Sequence, residues 1–362
     1  MTLTGFVLLY IAATIAIGVI AATRVKNTSD FALAGRSLPL PMVITATFAT
    51  WFGSETILGL PGRFIESGIA GVIEEPFGSG MALILVGTFF AHKLYKQNIL
   101  TLGDYYRDRY GRSVELLCSV AIVISYLGWV GAQVTALGLV INLITEGAVS
   151  MTTGMVIGAA VVLAYTMVGG MWSVAMTDFV QMIVIVVGLV AILWFATDLA
   201  GGMDKVVDYA RGRDLFHAFP EPTTTGWLFW ISAAMTMMIG SIPQQDVFQR
   251  VMSAKNLPTA VAGPILGGSF YILFAFVPMF IVVATILVMP DAAEKMLSED
   301  PQQLLPTLVR DYMPMWLRVV FFGAVLSAVM STASATMLAP STIFVENVLR
   351  HFMKIDDRNM LR

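Results

Sequence analysis

Runs of apolar residues long enough to cross a bilayer recur along the whole sequence, and nothing else constrains the fold as strongly. About 20 such residues are needed to traverse the hydrocarbon core as a helix. Nine segments qualify: 3–23, 40–62, 72–94, 114–143, 150–168, 173–197, 227–250, 260–288 and 316–349. Backbone amides find no water inside a bilayer, so these segments must satisfy their own hydrogen bonds as helices. Composition agrees: 57% of the 362 residues are hydrophobic and only 12% are charged, against about 25% in a soluble domain. The expected fold class is an all-α polytopic membrane protein. Residues 1–23 carry no charge and lack the basic start of a cleaved signal, so they read as a retained span.

The charges flanking these spans give an orientation. Fourteen Lys and Arg residues fall in the segments after spans one, three and seven and in the tail, against seven on the other side. The positive-inside rule places the richer side in the cytoplasm. The N-terminus is then outside, and after nine spans the C-terminus is inside. Connections 198–226 and 289–315 fall outside and read as ordinary solvated links.

Several function classes drop out. A net charge of −3 with no basic patch argues against nucleic acid. One cysteine, Cys118, excludes a disulfide framework, and His92, His217 and His351 have no ligand spacing. No nucleophile elbow, phosphate loop or zinc-protease motif occurs, so the chain is not expected to be an enzyme. No obligate protein partner is evident, and membrane lipid is the expected surroundings.

One span is a poor continuous helix. Thr45 to Gly62 reads TATFATWFGSETILGLPG. Gly53, Gly59, Pro61 and Gly62 weaken its hydrogen bonding, and Glu55 puts a carboxylate at membrane depth. Both are costly unless they face a protein-lined cavity. A broken helix with a buried polar group points to a transporter's binding site. Span seven ends Gly240-Ser241-Ile242-Pro243-Gln244-Gln245-Asp246. Pro243 removes a donor there, making a second interrupted helix with Gln244 and Asp246 beside the break. The plain alternative for Asp246 is a helix ending at the membrane face.

Span nine carries Ala328 and, one turn on, the adjacent hydroxyls of Ser331 and Thr332. Small residues pack membrane helices closely. The same oxygens, with freed carbonyls from a broken helix, also suit a hard cation. Trp51, in the break, and Tyr126, Trp129 and Gln133 on span four are candidate walls of a pocket, since aromatic faces bind organic cations. Asp178 is a lone carboxylate in apolar surroundings and needs a partner or a water path. Glu74 and Glu75 read as a solvated helix N-terminus.

Four segments resemble the sodium:solute symporter family: TWFGSETILGLPG (50–62), YTMVGGMWSVAMTDFVQ (165–181), IPQQDVFQRVMS (242–253) and FFGAVLSAVMSTASATML (321–338). The resemblance is strongest to the high-affinity choline transporter branch. It implies a LeuT-type inverted-repeat fold within a single transmembrane domain. After an extra N-terminal helix and loop at 1–39, the first five-helix repeat covers 40–197. The first three helices of the second repeat cover 227–351, so relative to the family the chain reads as truncated after its ninth span. The implied function is Na⁺-coupled symport of a small organic solute (quaternary amine, amino acid, carboxylate or sugar) by alternating access, in a bacterial inner membrane. Carried over, the Na⁺ site falls on the carbonyls of Ala49, Phe52 and Ala328 and the hydroxyls of Ser331 and Thr332, with Asp178 on the release path. The solute site falls on Trp51, Gly53, Ser54, Glu55, Tyr126, Trp129, Gln133, Gln244 and Asp246. The alternatives are a solute-sensing module of a larger signalling protein and an inactive fragment.

Overall fold

A computed structural model describes residues 3–352; the charged tail from Asp356 to Arg362 lies outside the described residues. Among the described residues the regular structure is helical, apart from a single bridge between Leu38 and Ala254. Helix α1 (Leu3–Ala22) is the first span. Span two is α2 (Leu40–Trp51), a break at 52–54, a π-helical turn (Glu55–Gly59) and α3 (Leu60–Ser67). Span three is α4 (Ile69–Gln97). A short helix, α5 (Leu102–Tyr110), then leads into α6 (Arg112–Ile144), the fourth span.

Spans five and six form one helical run, α7 (Met151–Leu199), where the sequence suggests a gap at 169–172. Only Gly170 departs from helical geometry, at φ 51° and ψ −139°. That is enough to reverse the chain. Tyr165 and Asp178 would lie about 20 Å apart along a straight helix at ~1.5 Å per residue. Yet the Tyr165 hydroxyl bonds the Met330 carbonyl at 3.0 Å, and Asp178 accepts from the next residue, Ser331, at 2.5 Å. The two halves therefore fold back on each other. Only glycine suits the turn, because a Cβ at position 170 would sit 2.4 Å from the Phe31 carbonyl oxygen.

The second half repeats the theme of interruption. After α8 (Met203–Gly212), α9 (Thr224–Gly240) and α10 (Gln245–Ser253) form span seven, bent by 46° at Ser241–Gln244. Span eight is α11 (Leu257–Phe274) followed by α12 (Phe276–Val288). Helices α13 (Pro290–Glu299) and α14 (Leu304–Tyr312) precede α15 (Met315–Leu349), the ninth span. The connections 198–226 and 289–315 are not simple solvated links. Val206, Ala210 and Leu215 in the first, and Leu304, Leu305, Leu308 and Val309 in the second, are buried. Each is amphipathic at helical spacing and caps the membrane domain.

Helix α15 is the core of the bundle, with 83% of its most apolar stretch buried, against 17% for α6. It packs on α7, α6, α2 and α10. Its alanines, serines and glycine allow that close approach. The start of span two and the end of span seven are stitched together: Leu38 N–H donates to the Ser253 carbonyl at 3.0 Å, and Lys255 N–H to that of Leu38 at 2.9 Å. A polar cluster fastens the same end. Asn347 near the end of α15 donates to Asp104 at 3.1 Å and Glu115 at 2.8 Å, and accepts from Thr101 at 2.6 Å. Gln245 at the start of α10 accepts from Leu102 N–H at 2.9 Å.

Candidate functional site

Helix α2 stops at Trp51 because Phe52 leaves helical geometry (φ −83°, ψ 72°) just before Gly53. The break lies against α15. Ser331 Oγ, whose hydrogen goes to Asp178, lies 3.1 Å from the Ala49 carbonyl oxygen, and Thr332 Oγ1 reaches the same oxygen at 3.3 Å. Ala49, Phe52, Ala328, Ser331, Thr332 and Asp178 are all 0% exposed. The approach is close because Gly53 has no side chain: a Cβ there would sit 2.7 Å from Thr332 Oγ1. Asp178 accepts from Ser331 through one oxygen, while its other oxygen, Oδ2, is buried and has no partner among the described residues. These are solvent-shielded hard oxygens beside a carboxylate with spare acceptor capacity, an arrangement that suits a small hard cation and offers nothing to a soft one.

On the other face of the break, Trp51 turns toward α6. Its ring meets Trp129 edge-on, with centroids 5.9 Å apart and planes at 68°. Tyr126 stacks obliquely on Trp129 at 6.0 Å. A cavity of about 260 Å³ opens here, lined by Trp51, Glu55, Glu75, Ser125, Trp129, Met237 and Gln244. Gln244 stands at the bend of span seven, where it precedes α10 in extended geometry, and its Oε1 is buried without a partner among the described residues.

Four of the expected solute-site residues do not line that cavity but support it. Gln133 donates from Nε2 to both oxygens of Glu55 at 2.9 Å, and Ser54 bonds Gln133 at 3.3 Å and Glu55 at 3.4 Å. Tyr126 donates to the Asp246 carboxylate and accepts from the Asp246 amide at 3.0 Å. Asp246 is therefore fully buried behind Tyr126. Gly53 serves the contact with α15 instead.

Glu75 is the residue that sequence reasoning misplaced. It does not end in solvent as a helix N-terminus. It faces the cavity, accepting from the Tyr271 hydroxyl at 2.6 Å and from Thr56 at 2.9 Å, and those two hydroxyls meet at 3.1 Å. Glu74, its neighbour, does point outward and pairs with Arg63 at 3.8 Å. The available signal was a mid-span tyrosine on α11, which in a membrane helix needs a polar partner. The partner is 196 residues distant in sequence.

With this geometry in view, the relatives are informative. The family model for the sodium:solute symporter family matches residues 31–361. The high-affinity choline transporter 1 of Caenorhabditis elegans is 29% identical over 336 residues, covering 89% of this chain and 56% of the relative. The human high affinity choline transporter 1 is 28% identical over 355 residues, covering 92% of this chain and 59% of the relative. The chain thus spans a little over half the length of these curated relatives. Among solved structures, a Na⁺-coupled sialic acid symporter in a substrate-bound outward-open state superposes with a TM-score of 0.86 at 18% identity, covering 100% of this chain and 76% of that one. That likeness establishes the LeuT-type fold.

Proposed function

The chain belongs to the sodium:solute symporter family, and from that premise we propose that it performs Na⁺-coupled symport of a small organic solute across the membrane. The observation that carries the reading is the double use of one broken segment. Its carbonyl edge, at Ala49, meets the Ser331 and Thr332 hydroxyls, while its next aromatic, Trp51, opens onto the cavity. A cation and a solute bound there would share three residues of backbone.

In this reading Na⁺ is held by the carbonyls of Ala49, Phe52 and Ala328 and the hydroxyls of Ser331 and Thr332. Those hydroxyls turn from the Ala49 carbonyl toward the ion, whose charge replaces their hydrogen bonds. Binding at this seam joins α15 to the break and fixes Trp51 for the solute. By reciprocal linkage, solute then tightens Na⁺ binding by the same factor. Asp178, beside Ser331, draws the ion along its release path. Tyr126 and Asp246 position Trp129 and the bend at Gln244. The two inverted repeats, 40–197 and the one beginning at 227, rock against each other to alternate access. The N-terminus faces outward and the inner ends of α10 and α15 face the cytoplasm, in what we take to be a bacterial inner membrane.

The test is uptake into proteoliposomes under an imposed sodium gradient, comparing the native protein with Ser331→Ala/Thr332→Ala. The double variant should lose sodium-driven uptake while remaining folded by size-exclusion chromatography. Unchanged sodium-dependent uptake would remove the cation site from this seam.

A further inference from the structure

The two carboxylates in the cavity say which solutes fit. Resting on the symport reading above, we propose that the cavity takes a protonated primary or secondary amine, held through its N–H groups by Glu55, Glu75 and Gln244, with Trp51 and Trp129 against its carbon skeleton.

The argument starts from charge. Glu55 and Glu75 both line a space of about 260 Å³, and no Lys or Arg lines it with them. The guanidinium of Arg63 stands outside the cavity, pairing with Glu74 at 3.8 Å and reaching Glu75 only by longer-range attraction. Among the described residues, every protein group bonded to the two carboxylates is neutral: Gln133 and Ser54 at Glu55, Tyr271 and Thr56 at Glu75. Charges at membrane depth are retained where they meet an opposite charge or a polar path. Here the missing opposite charge belongs to whatever fills the cavity, so an anionic solute is disfavoured and a cation favoured.

Hydrogen-bond capacity then narrows the cation. A carboxylate offers about four acceptor positions. At Glu75 both Tyr271 and Thr56 donate to Oε1, and among the described residues no protein donor reaches Oε2. Gln244, on the same cavity, has its Oε1 buried and unpartnered among the described residues. These are acceptors awaiting donors. A quaternary ammonium is a cation without N–H, so it would satisfy the charge and the aromatic wall but leave both oxygens desolvated and unmatched. A site built around hydrogen bonds discriminates strongly against an analogue that lacks them. The edge-on Trp51–Trp129 pair fits the alkyl part and adds ring-face attraction for the cationic end.

The experiment is a methylation series on one skeleton: n-propylamine and its N-methyl, N,N-dimethyl and N,N,N-trimethyl forms, with propionate and propanol as anionic and neutral probes. Each is titrated against the purified full chain in sodium and in potassium, reading thermal stabilisation. The primary or secondary amine should bind at least tenfold tighter than the quaternary form, in sodium only. Glu75→Gln should weaken the primary amine tenfold or more and flatten the series, while its sodium midpoint without solute stays native. A quaternary form equal to or better than the primary one, or preference for propanol or propionate, overturns the amine assignment and leaves symport standing. No sodium-dependent response to any probe, with no sodium midpoint in the protein alone, defeats the symport reading and the amine assignment with it. A normal sodium midpoint without response to any amine defeats the amine assignment alone.

Discussion

Replacing Gly53 by alanine tests whether the seam between the α2 break and α15 is the cation site. The added Cβ lands 2.7 Å from Thr332 Oγ1 and 3.2 Å from both Cβ and Cγ2 of the same residue. Turning χ1 of Thr332 can swing its hydroxyl or methyl aside but cannot move its Cβ, which stays 3.2 Å from the added carbon. The shift must therefore fall on the two helices, and it opens the 3.3 Å contact between Thr332 Oγ1 and the Ala49 carbonyl. Overpacking of a tight interior costs about 1–3 kcal/mol. Expressed wholly at the ion site, that weakens sodium roughly fivefold to 150-fold, at about 1.4 kcal/mol per decade. The assay is apparent thermal stability against sodium concentration at constant ionic strength with potassium. A ligand that binds only the folded form stabilises by RT ln(1 + [L]/Kd), so the sodium midpoint reads the affinity. Gly59→Ala is the control, since a Cβ there meets nothing within 4 Å although it lies in the same interrupted span. Gly53→Ala should move the midpoint upward and Gly59→Ala should not. Equal midpoints in the two variants would refute the assignment of the ion to this seam.

Three further outcomes are expected. Trp129→Ala removes the ring edge-on to Trp51; losing a cation–ring contact of about 1–2 kcal/mol should raise the half-saturating solute concentration roughly tenfold, with the sodium midpoint unchanged in the same thermal assay. Asn347→Leu deletes the donor to Asp104 and Glu115 and the acceptor of the buried Thr101 hydroxyl; both carboxylate oxygens keep Arg107, at 3.0 and 3.4 Å, so about 1–3 kcal/mol is lost in all, and a lower apparent melting temperature at all sodium concentrations is the check. Gly170→Ala combines a positive φ of 51° with a 2.4 Å contact to the Phe31 carbonyl; together these exceed about 3 kcal/mol and should abolish the monodisperse peak in fluorescence-detected size-exclusion chromatography.

The broken second span was legible because glycine, proline and a carboxylate are each conspicuous in an apolar run. Ser331 and Thr332 were legible as oxygen donors, and the resemblance in segments 50–62 and 321–338 pointed to their meeting with Ala49. The bend of span seven was visible in Gly240 and Pro243. Glu75 was hidden because its reading depends on fold: adjacent to Glu74 and Pro76, it resembles a solvated helix start until α11 brings Tyr271 over it. Asp246 posed the opposite difficulty. It sits beside a break in the sequence, but the hydroxyl of Tyr126 shields it from the cavity, and no local pattern encodes which of two polar neighbours faces inward. The helices of connections 198–226 and 289–315 were obscured by their charges, which lie on one face only.

The turn at Gly170 also bears on how the chain enters the membrane. Residues 113–204, which include spans four to six, contain no Lys or Arg. A helical hairpin with no loop at its tip exposes no charge for the insertion machinery to retain on either side. Its two halves have to enter together, and their direction is inherited from the arginines at 107, 109 and 112 before them and from Lys205, Arg211 and Arg213 after them. Moving positive charge between those two clusters should therefore invert three spans as a unit, carrying Trp129 and Asp178 to the wrong ends of the bundle.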